Sequence, residues 1–141
     1  MPYWLIKSPF RSRSWADVLV KGAFKLYGIR NHQAKNHIAK MNRGDRALYY
    51  HGPSGKQIYG VMRVVRAPYP DPTTTNENWL AVDFEPIKTF EHPLTLAQVK
   101  ADPDLQSIPL LNQPRLSVMR LEKSAFEHIA NLGEMDDPTH Q

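Results

Sequence analysis

With 141 residues, 41% of them hydrophobic, the chain is long enough for one domain with a real core. It has no cysteine, which excludes disulfides, thiolate nucleophiles and cysteine-ligated metals, and no apolar run approaches the ~20 residues of a membrane span. The net charge of +4 is unevenly spread: residues 1–66 hold 13 Lys and Arg against Asp17 and Asp45 alone, whereas residues 67–141 hold 5 against 12 Asp and Glu, which predicts a basic face able to receive a polyanion.

Lys7, Arg11 and Arg13 interrupt any signal-peptide pattern, so a soluble cytoplasmic protein is expected. Tyr3 to Lys7 reads as a strand by its aromatic and branched content. A polar, basic loop follows to Arg13. Ser14 and Asp17 have the spacing of a capping box and open a short helix that Gly22 ends. Asn31 is a good N-cap for a second helix, whose apolar stripe is Ala34, Ile38 and Met41 and which Gly44 closes. Arg46–His51 and Ile58–Val65 read as a hairpin across Gly52-Pro53-Ser54-Gly55, and Gly60 suggests a bulge or a close backbone approach.

Ala67 to Asn78, with Pro68, Pro70 and Pro72, reads as an ordered crossing loop. From Trp79 to Phe90 the alternation of Leu80, Val82 and Phe84 predicts a half-buried strand that Pro86 interrupts. Thr95–Gln98 gives a second capping box, Leu105 to Leu111 a turn or two of helix, and Arg115 to Leu121 a late strand. Ser124–Glu127 gives a third capping box and a final helix ending near Gly133. The domain is thus expected over residues 1–133, with residues 134–141 a disordered acidic tail. Mixed strands, short helices, a hairpin and a bulge define an α+β class built around a small curved barrel.

Chemistry is sparse. No histidine pair has helical zinc spacing, since His32 and His37 are five apart, so neither metal nor cofactor is expected. No serine sits in a GxSxG elbow, and there is neither a P-loop nor a GxGxxG. Binding has more support. A single strand needs cations for phosphates and flat faces for bases, and reading one base requires taking it out of the stack. Trp15, Tyr27, Tyr50 and Trp79 are candidate walls. Ser8, Asn31, Ser117 and the backbone at Gly28 and Ile29 are candidate readers, and Arg11, Arg13, Arg30, Lys35 and Arg115 candidate phosphate contacts.

Five motifs stand in order along the chain. They are Tyr3-Trp4-Leu5 with Lys7-Ser8, then Gly28-Ile29-Arg30-Asn31 with Gln33-Ala34, Tyr50-His51, Pro70-Asp71-Pro72 followed by Trp79, and Arg115-Leu116-Ser117-Val118. This order resembles the EVE domain, a member of the PUA-like superfamily that includes the thymocyte nuclear protein family and is related to YTH domains. The resemblance spans Pro2 to Ile129 and implies a PUA-like barrel with short flanking helices. It implies a non-catalytic domain that holds a modified base of DNA or RNA, a methylated or hydroxymethylated cytosine or adenine, in a pocket. It adds His51 to the pocket set and Lys7 to the backbone contacts. Two departures lie near that pocket: Pro9-Phe10 stands where the family usually has Glu-Pro, and Tyr27 where it usually has Trp. An RNA-modifying or amide-hydrolysing enzyme using Lys7 or His51 is the first alternative. A domain docking an acidic or effector protein is the second.

Overall fold

The computed structural model describes residues 2–134. Six strands form one mixed sheet: β1 (Tyr3–Lys7), β2 (Phe24–Leu26), β3 (Arg46–His51), β4 (Gln57–Pro70), β5 (Leu80–Thr95) and β6 (Val118–Leu121), in spatial order β2-β5-β4-β3-β1-β6. Around it lie α1 (Trp15–Lys21), α2 (His32–Ala39), α3 (Leu96–Ala101), α4 (Pro109–Asn112) and α5 (Lys123–Glu134), with a 3-10 turn at Pro103–Leu105. No helix among the described residues is long and apolar enough to cross a membrane.

β1 is an inner strand, parallel to β3 and antiparallel to β6. Its Trp4, Leu5 and Ile6 are consecutive and all buried, as in a strand covered on both faces. The Trp4 indole Nε1 donates to buried Asp45 at 3.1 Å, so its polar atom is not stranded in the core. The α+β class stands, but the barrel is not closed: β2 and β6 end the strand order, and no ladder joins them among the described residues. The sheet is nevertheless curled enough for α2 to touch both β6, at one edge, and β5, next to the other.

The curl has a local cause. β4 and β5 change register at Ile58/Gly60, Val61/Met62, Val64/Arg66 and Arg66/Tyr69, and each inserted residue bends the strand that carries it. Gly60 is both bulge and close approach: a Cβ there would sit 2.3 Å from the Lys88 carbonyl oxygen and 2.6 Å from the Trp15 ring.

Several boundaries differ from expectation. β4 runs on to Pro70 and β5 continues through Pro86 to Thr95. Pro86 stands opposite Met62 beside a register shift, where the regular ladder is already broken. The crossing loop therefore shrinks to residues 71–79. β6 begins only at Val118, and residues 113–116 form a turn closed by Leu116 N donating to Gln113 O at 3.0 Å. α2 ends at Ala39 with Lys40 as its C-cap, and Gly44, at φ 96°, serves the turn into β3 instead. The capping boxes at Ser14/Asp17 and Thr95/Gln98 form. The one at Ser124 does not, because α5 starts at Lys123 and takes Ser124 into its first turn. Glu134 is the last residue of α5 and pairs with Lys88 at 2.8 Å; the rest of the expected acidic tail, residues 135–141, lies outside the described residues.

Candidate nucleic-acid interface

Because β1 and β3 run parallel, their ends Lys7-Ser8 and Tyr50-His51 emerge side by side. Ser8 N donates to the Tyr50 carbonyl at 2.9 Å, and Lys7 N to the Ser117 carbonyl at 2.8 Å. The Lys7 ammonium donates to the Pro114 carbonyl, tying the 113–117 segment to the end of β1. His51 is 1% exposed and uses both ring nitrogens: Nε2 lies 2.8 Å from the Phe10 carbonyl and Nδ1 2.6 Å from the Ser54 hydroxyl. A carbonyl only accepts, so Nε2 carries a proton toward it. His51 thus fastens the 8–13 loop. The Tyr49 hydroxyl fastens the same loop by donating to the Arg13 carbonyl, and burial pushes its pKa up to about 12.

The segment before α2 is held by Asp71. This carboxylate is buried and accepts from Gly28 N at 2.7 Å, Arg30 Nη1 at 3.0 Å, Thr73 N at 2.8 Å and Thr73 Oγ1 at 2.6 Å. Burial pushes its pKa up, but the bonds from Thr73, Gly28 and Arg30 outweigh burial and hold it at about 2. Gly28 sits at φ 77°, a conformation that suits glycine, and so presents its amide to Asp71. Asn31 then caps α2, its side chain accepting from Ala34 N at 2.9 Å. Asp71 was not among the expected site residues; the available signal was an acid between two prolines in the motif Pro70-Asp71-Pro72.

These clamps surround an open pocket of about 340 Å³ lined by Lys7, Ser8, Pro9, Gly28, Ile29, Arg30, Asn31 and Pro114 to Ser117. Three segments distant in sequence meet there: the end of β1, the entry to α2 and the entry to β6. A second lobe of about 260 Å³ shares Asn31, Pro114, Arg115 and Leu116 with it and adds Gln33 and Gln113.

The expected aromatic walls lie elsewhere. Trp15 is 4% exposed in the core, donates through Nε1 to Thr89 Oγ1 at 2.9 Å and packs beside Tyr49. Tyr50 is buried as well, and burial raises its pKa. Trp79 is half-buried against His32 and under the Arg30 guanidinium, behind the pocket rim. Tyr27 packs on Phe10 with ring centroids 5.1 Å apart, and Arg13 lies over both rings, 4.0 Å from Phe10 and 4.9 Å from Tyr27. Arg13 also donates to the Tyr27 hydroxyl and the Lys25 carbonyl, so its guanidinium is already engaged. Tyr27 and Arg13 line a separate cavity of about 550 Å³ between α1 and β2.

Among the described residues, Arg11, Lys35 and Arg115 make no ion pair, while Arg30 pairs with Asp71 and Arg63 with Glu85. The basic and acidic halves therefore partly interleave. One group among the described residues has metal-ligand atoms close together, Asp102, Asp104 and His128, all within 4.8 Å. Its geometry already has another use: His128 Nε2 bonds Asp102 at 2.7 Å, and Asp102 caps the 3-10 turn through Asp104 N at 2.8 Å.

A curled, mixed-sheet α+β domain with a pocket of mixed apolar, polar and basic lining where three segments converge defines the class. The EVE domain family model matches residues 2–132, and the chain belongs to that family. Human thymocyte nuclear protein 1 is 26% identical over 95% of this chain and 75% of its own length. A Rhodopseudomonas palustris protein solved by NMR is 38% identical, with a TM-score of 0.89 over 100% of this chain and 99% of that one. The crystal structure of human THYN1 in complex with 5-methylcytosine-containing DNA has the same fold at 24% identity, with a TM-score of 0.84 over 97% of this chain and 100% of that one. A more distant fold match, at 15% identity and a TM-score of 0.57 over 97% of this chain and 85% of that one, is the Pho92 YTH domain in complex with m6A.

Proposed function

We propose that the chain binds nucleic acid non-catalytically and reads a modified base, a methylated or hydroxymethylated cytosine or adenine turned out of its stack, in the pocket between Lys7–Pro9, Gly28–Asn31 and Pro114–Ser117. The observation that carries this reading is the convergence of those three segments on one open pocket of about 340 Å³, within the ~300–1,000 Å³ usual for ligand sites. The Ser8 and Ser117 hydroxyls offer donors and acceptors for a base edge, and the Asn31 amide, its oxygen held by the α2 cap, offers its NH2 donors. The faces of Pro9, Ile29, Pro114 and Leu116 leave apolar room for an added methyl. Arg115, at the rim, supplies a guanidinium plane and a charge for the flanking phosphate. Two relatives of the same fold were solved with 5-methylcytosine DNA and with m6A, which supports a modified base as the ligand class.

Binding without turnover is favoured by the state of the two candidate catalysts. His51 is buried with both nitrogens engaged, and the Lys7 ammonium is spent on a backbone carbonyl. A fluorescence-anisotropy titration tests the reading. It uses single- and double-stranded DNA and RNA, with and without modified cytosine or adenine, at two salt concentrations. One modified oligonucleotide is expected to bind well above its plain twin at both salts, and Ser117→Trp, which fills the pocket from its half-exposed rim, to abolish that gap while sparing weak salt-sensitive binding. Equal affinity for every oligonucleotide, lost together in salt, would sink the pocket and leave only charge attraction.

A further inference from the structure

The second lobe differs from the first in its chemistry. It shares the Asn31, Pro114, Arg115 and Leu116 rim, so the two form one continuous trough, but its own lining adds the side-chain amides of Gln33 and Gln113. Both are exposed, and among the described residues neither amide group makes a hydrogen bond. Their backbones are fixed. Gln33 stands in the first turn of α2, beside the Asn31 cap. Gln113 N donates to Pro109 O at 2.7 Å, and Gln113 O accepts from Leu116 N at 3.0 Å.

A phosphate calls for donors only, and lysine or arginine would meet it. A side-chain amide offers one acceptor beside two donors, the pattern that matches a base edge and in particular the N6/N7 edge of adenine. Two such amides, in a lobe that shares the unpaired Arg115 with a pocket for one base, are placed to meet the next base along the strand.

We propose that this amide-lined lobe takes the nucleotide adjacent to the modified one, and that Gln33 and Gln113 read its base with a preference for adenine. The inference rests on the pocket reading above. It adds sequence context to it: the chain distinguishes where in a sequence the modified base lies.

The test uses single-stranded oligonucleotides carrying one 5-methylcytosine, or one N6-methyladenine, with each of the four bases in turn on its 5′ and 3′ sides, and the unmodified twin of each. Wild type, Gln33→Ala and Gln113→Ala are compared by anisotropy after thermal melting has shown that the exposed substitutions leave the fold intact. The wild type is expected to prefer adenine on one side by about five- to hundredfold. Each variant is expected to flatten that preference while retaining the ratio between modified and plain strands. If wild type separates modified from plain strands yet is indifferent to neighbours, or if the neighbour preference survives both variants, this inference falls and the pocket reading stands. If wild type does not separate modified from plain at all, both fall.

Discussion

Asp71 concentrates more on one side chain than any other residue near the pocket. Four donors converge on a buried carboxylate, and two of them, Gly28 N and Arg30, belong to the pocket wall. Its pKa of about 2, against an ordinary 3.8, corresponds to about 2 kcal/mol of folding stability. The folded value is depressed, so that contribution is fully present above pH 3.8 and is lost as the pH falls through about 2. Asp71→Asn should cost about 2–4 kcal/mol at neutral pH, because the amide turns a donor toward groups that need an acceptor. It should also lose the part of the acid sensitivity that falls between pH 4 and 2; urea unfolding across that range checks both. Asn31 could be read from sequence because a cap is satisfied by its own next three residues. Of Asp71 only its place between two prolines was legible, since its partners Gly28 and Arg30 lie 43 and 41 positions off.

At the scale of elements, the long β4–β5 ladder sets the curl, and Gly60 is where it meets α1. The Trp15 ring lies against the Gly60 backbone so closely that even a methyl group has no room. Gly60→Ala should therefore destabilise the fold by about 1–3 kcal/mol through overpacking, seen as a lower melting temperature with unchanged secondary structure by circular dichroism. Gly60 was legible because a glycine amid Ile58, Val61 and Val64 departs from the strand pattern. β2 was not, because three residues are too few to show a period of two, and its existence depends on pairing Phe24–Leu26 with Val82–Phe84 far along the chain. Two of the four expected aromatic walls are instead core residues, for a related reason. Type alone cannot tell a ring that faces a ligand from one that fills the core, and Trp15 and Tyr50 fill it.

At the scale of the whole molecule, the charge split of the sequence survives folding only in part. Arg30 and Arg63 are neutralised by Asp71 and Glu85 from the acidic half, while Lys35 on α2 and Arg115 in the trough lining stay unpaired among the described residues. If phosphates follow that rim, Lys35→Ala and Arg115→Ala should each weaken binding across all sequences. Each should lower the slope of log affinity against log salt by about 0.7 for a single strand, measured by anisotropy from low to physiological salt.

The pocket also has a place in time. Its walls come from both ends of the chain: β1 is paired with β6, and the Lys7 ammonium reaches a carbonyl 107 residues later. Contacts of such sequence separation form slowly, because the intervening chain must be drawn in before they give any return. On the ribosome the first strand is made early and waits for the last, with β3 as its only partner in the sheet meanwhile. A nascent or truncated chain that stops before Pro114 can carry most of the sheet and most of the basic residues and still lack one of the pocket's three walls. On the proposed reading, such a chain would attract nucleic acid by charge without choosing among bases, and selectivity would arrive only with the segment that leads into the final strand.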